Sequence, residues 1–186
     1  MLTTKIPVES FDACVQLPEN AEKLFEYIDG EIIEVPLNPY ASYISGRIFR
    51  RIANFVEDNN LGYTTGEAGG YMVSGERYAP DVAFISRIKQ PRLVSVGYNP
   101  NPPDLAVEVD MPSTYVTRSN LFTKTVNYMA AGTVVWIVRP ERKEVEVYVP
   151  GEAKRTLGVD DVLDGGDILP GFLLPVKDIF PAEETP

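Results

Sequence analysis

The chain has 186 residues, 44% apolar and 24% charged, with a formal net charge of −10 and no histidine. Without imidazole there is no Ser-His-Asp or Cys-His nucleophile system and no imidazole-held zinc or haem, which leaves carboxylates, Lys, Arg, Tyr and hydroxyls for any chemistry. The acidic balance also argues against non-specific nucleic-acid binding, which rests on phosphate neutralisation by Lys and Arg.

The length fits one domain spanning 1–186. No apolar run reaches the ~18 residues of a membrane span, and "MLTTKIPVESFDACVQ" lacks the order of a signal peptide. Cys14 is alone, so no disulfide forms within the chain, and it reads as a small core residue. The expectation is a cytoplasmic protein, not associated with membrane.

In chain order, "LPENAEKLFEYIDG" predicts a short helix ending at Gly30, and "EIIEVPL" a short strand. In "ASYISGRIFRRIANFVEDNN", Ile44, Ile48, Ile52 and Phe55 recur at helical spacing, with Arg47, Arg50 and Arg51 elsewhere on the wheel. "LGYTTGEAGGYMVSGERYAPDVAFIS" reads as strand, Gly-rich turn, strand, followed by a Pro-containing loop and the strand "PDLAVEV". The Gly-rich turn lacks the context and the Lys of a phosphate-binding loop. Ser119 is placed to cap a helix running to about Ala131, with Gly132 as its stop. "TVVWIV" is apolar and β-branched enough for a central strand. "EVEVYV" alternates as a half-exposed one, and the tail "GDILPGFLLPVKDIF" is apolar enough to pack. The whole predicts an α/β (α+β) domain with a mixed sheet between helices.

One feature of "DLAVEV" resists a purely structural reading. Leu105, Val107 and Val109 form one row, and Glu108 sits on the other row beside Ala106. A carboxylate in a sheet interior needs a metal, a cation or a proton to offset its burial. Asp81 opens the preceding strand, so the two acids can share a sheet face. Lys124 lies in the following helix about 40° from Tyr128 and about 60° from Leu121, at the margin of an apolar stripe. Phe122, Val126 and Met129 form a second stripe facing away from it. Two carboxylates holding a divalent ion, with a lysine supporting a water or a phosphate, would hydrolyse a phosphodiester without histidine. A surface-facing Glu108, or a stabilising Glu108–Lys124 ion pair, is the competing reading. Glu67 reaches the same region if its strand points inward. Tyr40, Tyr43, Tyr63, Tyr71 and Tyr78 line a groove or pack in the body, and the clusters Arg47/Arg50/Arg51 and Arg87/Lys89/Arg92 form a basic face or merely solvated surface.

"YIDGEIIEVP", "YAPDVAFIS", "PPDLAVEV", "KTVNYMAAGTVVWIVRPERKEVEVYV" and the tail "GVDDVLDGGDILPGFLLPVKDIF" together resemble the Uma-two family of restriction endonucleases within the PD-(D/E)XK nuclease superfamily. The resemblance covers roughly residues 20–180. It implies a restriction-endonuclease-like core and Mg²⁺-dependent cleavage of DNA, with Mn²⁺ as a substitute ion. It makes Asp81 and Glu108 metal ligands, with the carbonyl of Val109 as a further one. The superfamily lysine usually follows two residues after that Glu, where this chain has Asp110; in sequences like this one it has moved to the next helix, which implies Lys124 four residues before Tyr128. Glu31 of "DGE" is implied as a further catalytic residue, approaching from the N-terminal side. Enzymes of this fold often act as homodimers, although the sequence itself shows no dimer interface.

Three departures from the family pattern stand out. No His stands near the start of the long helix, in "PYASYISG", Met111 replaces a Ser in "EVDMP", and Asn120 stands where an acid is common. They keep a second expectation open, a weakened nuclease-fold protein that binds nucleic acid or a protein partner without cutting.

Overall fold

A computed structural model describes residues 5–111 and 118–181. In chain order its elements are α1 (Val8–Cys14), β1 (Phe25–Ile28), β2 (Glu31–Glu34), α2 (Pro39–Asp58), β3 (Gly62–Gly66), β4 (Tyr71–Val73), β5 (Glu76–Tyr78), β6 (Val82–Ser86), β7 (Leu105–Val109), α3 (Arg118–Ala130), β8 (Val134–Arg139), β9 (Glu144–Tyr148), β10 (Arg155–Leu157), β11 (Val162–Asp164) and β12 (Leu173–Pro175). Among the described residues no helix is long and apolar enough to cross a membrane.

The central sheet has six strands in the order β10-β9-β8-β7-β6-β3. Only β7 and β8 run parallel, and α3 makes the crossover between them; every other neighbour is antiparallel. This is the mixed sheet between helices that the sequence predicts. β8 is apolar on both rows because both its faces are covered: Val134, Trp136 and Val138 face the core under α2, while Val135 and Ile137 face the α3 side.

α2 starts at an Asn38 side chain that accepts the Ala41 amide at 3.0 Å, with Pro39 in the first turn, where its missing N–H costs nothing. Its buried stripe is Ile44, Ile48, Ile52 and Val56, laid against Val82, Phe84, Leu105 and Val107. The expected stripe is shifted at one end, with Val56 buried where Phe55 is half-buried. Phe55 meets Phe172 edge-on at 5.5 Å, and Trp136 stacks on Phe172 at 6.0 Å, so the C-terminal tail closes the core beneath the sheet. Removing Trp136 would cost about 3–5 kcal/mol, the range for emptying such a site.

A second, antiparallel sheet has the order β2-β1-β5-β4. The helix expected over "LPENAEKLFEYIDG" is not formed: a single 3-10 turn covers Pro18–Asn20, and Phe25–Ile28 is strand. The deciding feature is the Asp29-Gly30 turn. Both residues have positive φ (50° and 84°), the two-residue geometry that folds β1 back onto β2 with Ile28 opposite Glu31. Ser74-Gly75, with φ 51° and 88°, does the same for β4 and β5. The region expected as strand, turn, strand therefore holds four strands. α3 begins at Arg118, one residue before the Ser119 expected to cap it, and the side chain of Ser119 lies outside those described.

Candidate active site

β6 and β7 pair with Val82 opposite Val107 and Ala83 opposite Ala106. One further step of that register sets Asp81 across from Glu108, and alternation puts both on the face that carries Ala83 and Ala106. These two alanines are small, which lets side chains from α3 descend close to the strands. Asp81 follows Pro80, and its Oδ2 accepts the Val109 amide at 2.6 Å, so the side chain carries the strand pairing past the end of the backbone ladder.

Lys124 comes down from α3. Its Nζ lies 2.8 Å from each oxygen of Glu108 and donates at 2.7 Å to Oε1 of Glu26. Glu26 also accepts the Ala79 amide, at 2.8 Å. All three side-chain-bearing residues are buried: Glu26 is 2% exposed, Lys124 3% and Glu108 8%. Tyr128, one helical turn beyond Lys124, donates to Oε1 of Glu108 at 3.3 Å. The Tyr78 ring lies 5.6 Å from the ammonium and meets Tyr128 edge-on at 5.2 Å. Asn127 donates to the Tyr78 hydroxyl at 2.7 Å.

Three carboxyls, Glu26, Glu108 and Asp81, gather around one ammonium. Burial alone would lower the Lys124 pKa, but Glu108 and Glu26 beside it overrule that and raise it, so Lys124 is an ammonium at neutral pH. Burial raises Glu108; Lys124 opposes the shift, and Glu26 and Asp81 reinforce it. Burial likewise pushes Asp81 up to about 6, against the Val109 hydrogen bond. Burial, with Glu108 and Glu26 adding to it, drives Tyr128 well above the ordinary phenol range, so it stays a donor.

Asp81, Glu108, Val109 and Lys124 line one small cavity of about 80 Å³ with Glu26, and the first turn of α2 supplies its opposite wall. Among the described residues no three Asp, Glu, Cys or His side chains group tightly enough to hold a metal by themselves. Mg²⁺, however, is usually held by one or two carboxylates, with water and substrate phosphate completing its shell. Two hard carboxylates on adjacent strands, at a cavity with room for an ion and a water or two, fit that requirement.

The structure does not bring Glu31 to this cavity. It stands at the hairpin turn opposite Ile28, close enough to Lys5 for its charge to help raise that amine, while Lys5 pairs with Asp29 at 2.5 Å. Glu26, five residues earlier, is the acid that enters from the N-terminal side. Its signal was the alternation of "FEYI", which sets Glu26 in one row with the buried Ile28 once the stretch is read as strand.

Asp110 lines the same cavity as Asp81 and Glu108, but its carboxylate is engaged: it pairs with Arg139, which also holds Glu146 at 2.9 Å. The basic clusters are largely taken up within the fold. Arg47 donates to the Asp178 carbonyl at 3.0 and 2.6 Å, Arg51 pairs with the Asp178 carboxylate at 3.0 Å, and Lys89 pairs with Asp104 at 3.4 Å. Arg87 lies over the Tyr63 ring at 5.0 Å. Tyr71 and Tyr78 are core residues, whereas Tyr40 and Tyr43 are exposed. Glu67 is exposed, near enough for its charge to raise the Asp81 carboxyl.

No curated protein is significantly similar in sequence. A crystal structure from Anabaena variabilis, described as a "putative nuclease belonging to DUF820", superposes with a TM-score of 0.76 over 90% of this chain and 95% of that one, at 22% identity. That likeness shows the fold. The model of the Uma2 family, described as "Putative restriction endonuclease", matches residues 11–177, and the chain therefore belongs to the Uma2 family.

Proposed function

We propose that this protein is a Mg²⁺-dependent endonuclease that hydrolyses phosphodiester bonds in DNA. The observation that carries the reading is the meeting of Asp81, Glu108 and Lys124 at one cavity, from two strands and the helix above them. Asp81, Glu108 and the Val109 carbonyl would hold Mg²⁺, or Mn²⁺ in its place. When bound, such an ion polarises the phosphoryl oxygen and acidifies a water.

Lys124 is charged and buried, so it gives hydrogen bonds and does not take a proton. It supports charge on the phosphate and orients the attacking water. Glu26 anchors it: a lysine tied to a strand on one side and to Glu108 on the other has lost most of its rotamer freedom before substrate arrives. Tyr128 fixes the orientation of Glu108 in the same way.

The test is cleavage of plasmid and linear DNA by purified protein with Mg²⁺ or Mn²⁺. Asp81→Ala should abolish cutting while the protein stays folded, and undiminished cutting by that variant would reject the assignment. One observation favours a second reading, a nuclease-fold binder that does not cut: both oxygens of Glu108 are already engaged, by Lys124 and Tyr128. A calorimetric titration separates the two, because the binder keeps DNA affinity and takes up no Mg²⁺.

A further inference from the structure

The catalytic cavity, at about 80 Å³, has room for an ion and little else. Ligand-sized pockets begin at roughly 300 Å³. Immediately beside it is a cleft of about 490 Å³, and the two share Asp110 and Leu121 in their walls. Ile137 of β8 and Tyr148 of β9 line it on the sheet side. The α3 wall is the second apolar stripe, Phe122, Val126 and Met129, and Phe122 is 70% exposed on the helix that carries Lys124. Arg139 and Arg142 stand at the side of the cleft.

The distribution of charge narrows the occupant. A duplex held by its phosphates requires cations free to face them. Here Arg51, Arg77, Lys89, Lys154 and Arg155 are each paired with the protein's own carboxylates, in a chain of net charge −10. Stacking of a base on an aromatic side chain does not depend on that charge, and is open only to a base that has left its helical stack.

Resting on the nuclease reading above, we propose that the cleft between α3 and the β8–β9 face receives an unpaired nucleobase, stacked on Phe122, next to the phosphate being cut. The preferred substrate is then single-stranded or locally unpaired DNA. The cleft and the catalytic cavity share the Asp110 and Leu121 walls, so a base and its own phosphate fit side by side in the two.

The test is fluorescence anisotropy with a labelled 16-nucleotide DNA strand and its blunt duplex, with Ca²⁺ in place of Mg²⁺. The single strand should bind more tightly than the duplex. Phe122→Ala should weaken single-strand binding about tenfold or more, the range for losing one stacked base, with duplex binding within about twofold. Ile88→Ala, at a 97% exposed apolar residue elsewhere, should change neither. Phe122 is exposed enough that its variant should fold, which a thermal melt verifies. Equal or tighter duplex binding, or indifference to Phe122→Ala, overturns the cleft assignment and leaves the nuclease reading standing. A dimer that Phe122→Ala dissociates overturns it as well, the face being then an interface between copies. Absence of all DNA binding and cutting overturns the nuclease reading, and this inference with it.

Discussion

Replacing Lys124 by Met removes a charge and keeps most of the volume, so it isolates the electrostatics of the site. In the folded protein the ammonium lies 2.7 Å from Glu26 and 2.8 Å from Glu108, with all three residues at most 8% exposed. Without it, the site has two courses. It keeps a carboxylate buried with no counterion, a loss of about 3–5 kcal/mol when one partner of a buried pair is removed. Or it takes a proton from water, at about 1.4 kcal/mol per pH unit above the ordinary carboxyl range. At pH 8 the second course costs about 5 kcal/mol, so Lys124→Met should destabilise by about 3–5 kcal/mol whichever is taken. At pH 5 the proton costs only about 1 kcal/mol and the defect shrinks to that. The sign follows from linkage: the carboxyl pair of the variant binds protons more tightly folded than unfolded, so stability is retained at low pH and lost as pH rises.

Urea unfolding of metal-free wild type and variant at pH 5, 6.5 and 8 measures this directly. In a melt the pH 8 difference corresponds to about 6–20 °C for a chain of this size. Glu26→Gln is the informative partner. Gln still accepts the Ala79 amide, and Lys124 keeps Glu108, so the cost should stay near 1 kcal/mol. A pH-independent Lys124→Met defect below about 1 kcal/mol would refute the reasoning, as would a Glu26→Gln variant as damaged as Lys124→Met.

Two other titrations carry opposite signs. Asp81, raised to about 6, binds its proton more tightly in the folded metal-free protein. Stability should therefore be fully present below about pH 4 and fall by about 3 kcal/mol towards pH 6, a slope that Asp81→Asn should flatten in urea unfolding with chelator present. For Glu146, burial works to raise the carboxyl, but hydrogen bonds from Lys154 and Arg139 prevail and hold it at about 2. Its contribution is present above about pH 4.5 and lost as pH falls towards 2; partial exposure of Lys154 discounts it to about 1–2 kcal/mol. Glu146→Gln should show that deficit at pH 7 in urea unfolding and lose it near pH 2.

The parts of the site legible in sequence are those fixed by local periodicity. The period of two in "DVAFIS" and "DLAVEV" puts Asp81 and Glu108 on one face without any knowledge of the sheet. The wheel of α3 separates the buried edge with Lys124 and Tyr128 from the outward Phe122 and Val126, and the structure buries the first pair and exposes the second. Glu26 was lost because Leu24, Phe25 and Ile28 fit a helical turn as well as a strand, and only pairing with β2 and β5 decides between them. The seven-residue α1 is too short to announce itself by periodicity. Arg47 and Arg51 look free in sequence because the group that occupies them, Asp178, lies more than a hundred residues away.

The position of the lysine bears on how this site works. A lysine two residues beyond Glu108 would share its row on β7; that place holds Asp110, turned to Arg139 instead. Lys124 reaches the same carboxylate from the layer above, through a side chain long enough to descend from α3 past Ala83 and Ala106. A proposed nuclease site is therefore specified by a point above the two acids and not by the order in which the chain supplies its groups, much as catalytic triads recur with different chain orders. The helical route has a consequence that a strand-borne lysine would not share. The ammonium is pinned between the large sheet, through Glu108, and the small one, through Glu26, so any movement of β1 relative to β7 would displace it. In the proposed mechanism the second sheet is thus part of the catalytic apparatus, because it holds one of the two anchors that keep the ammonium in place.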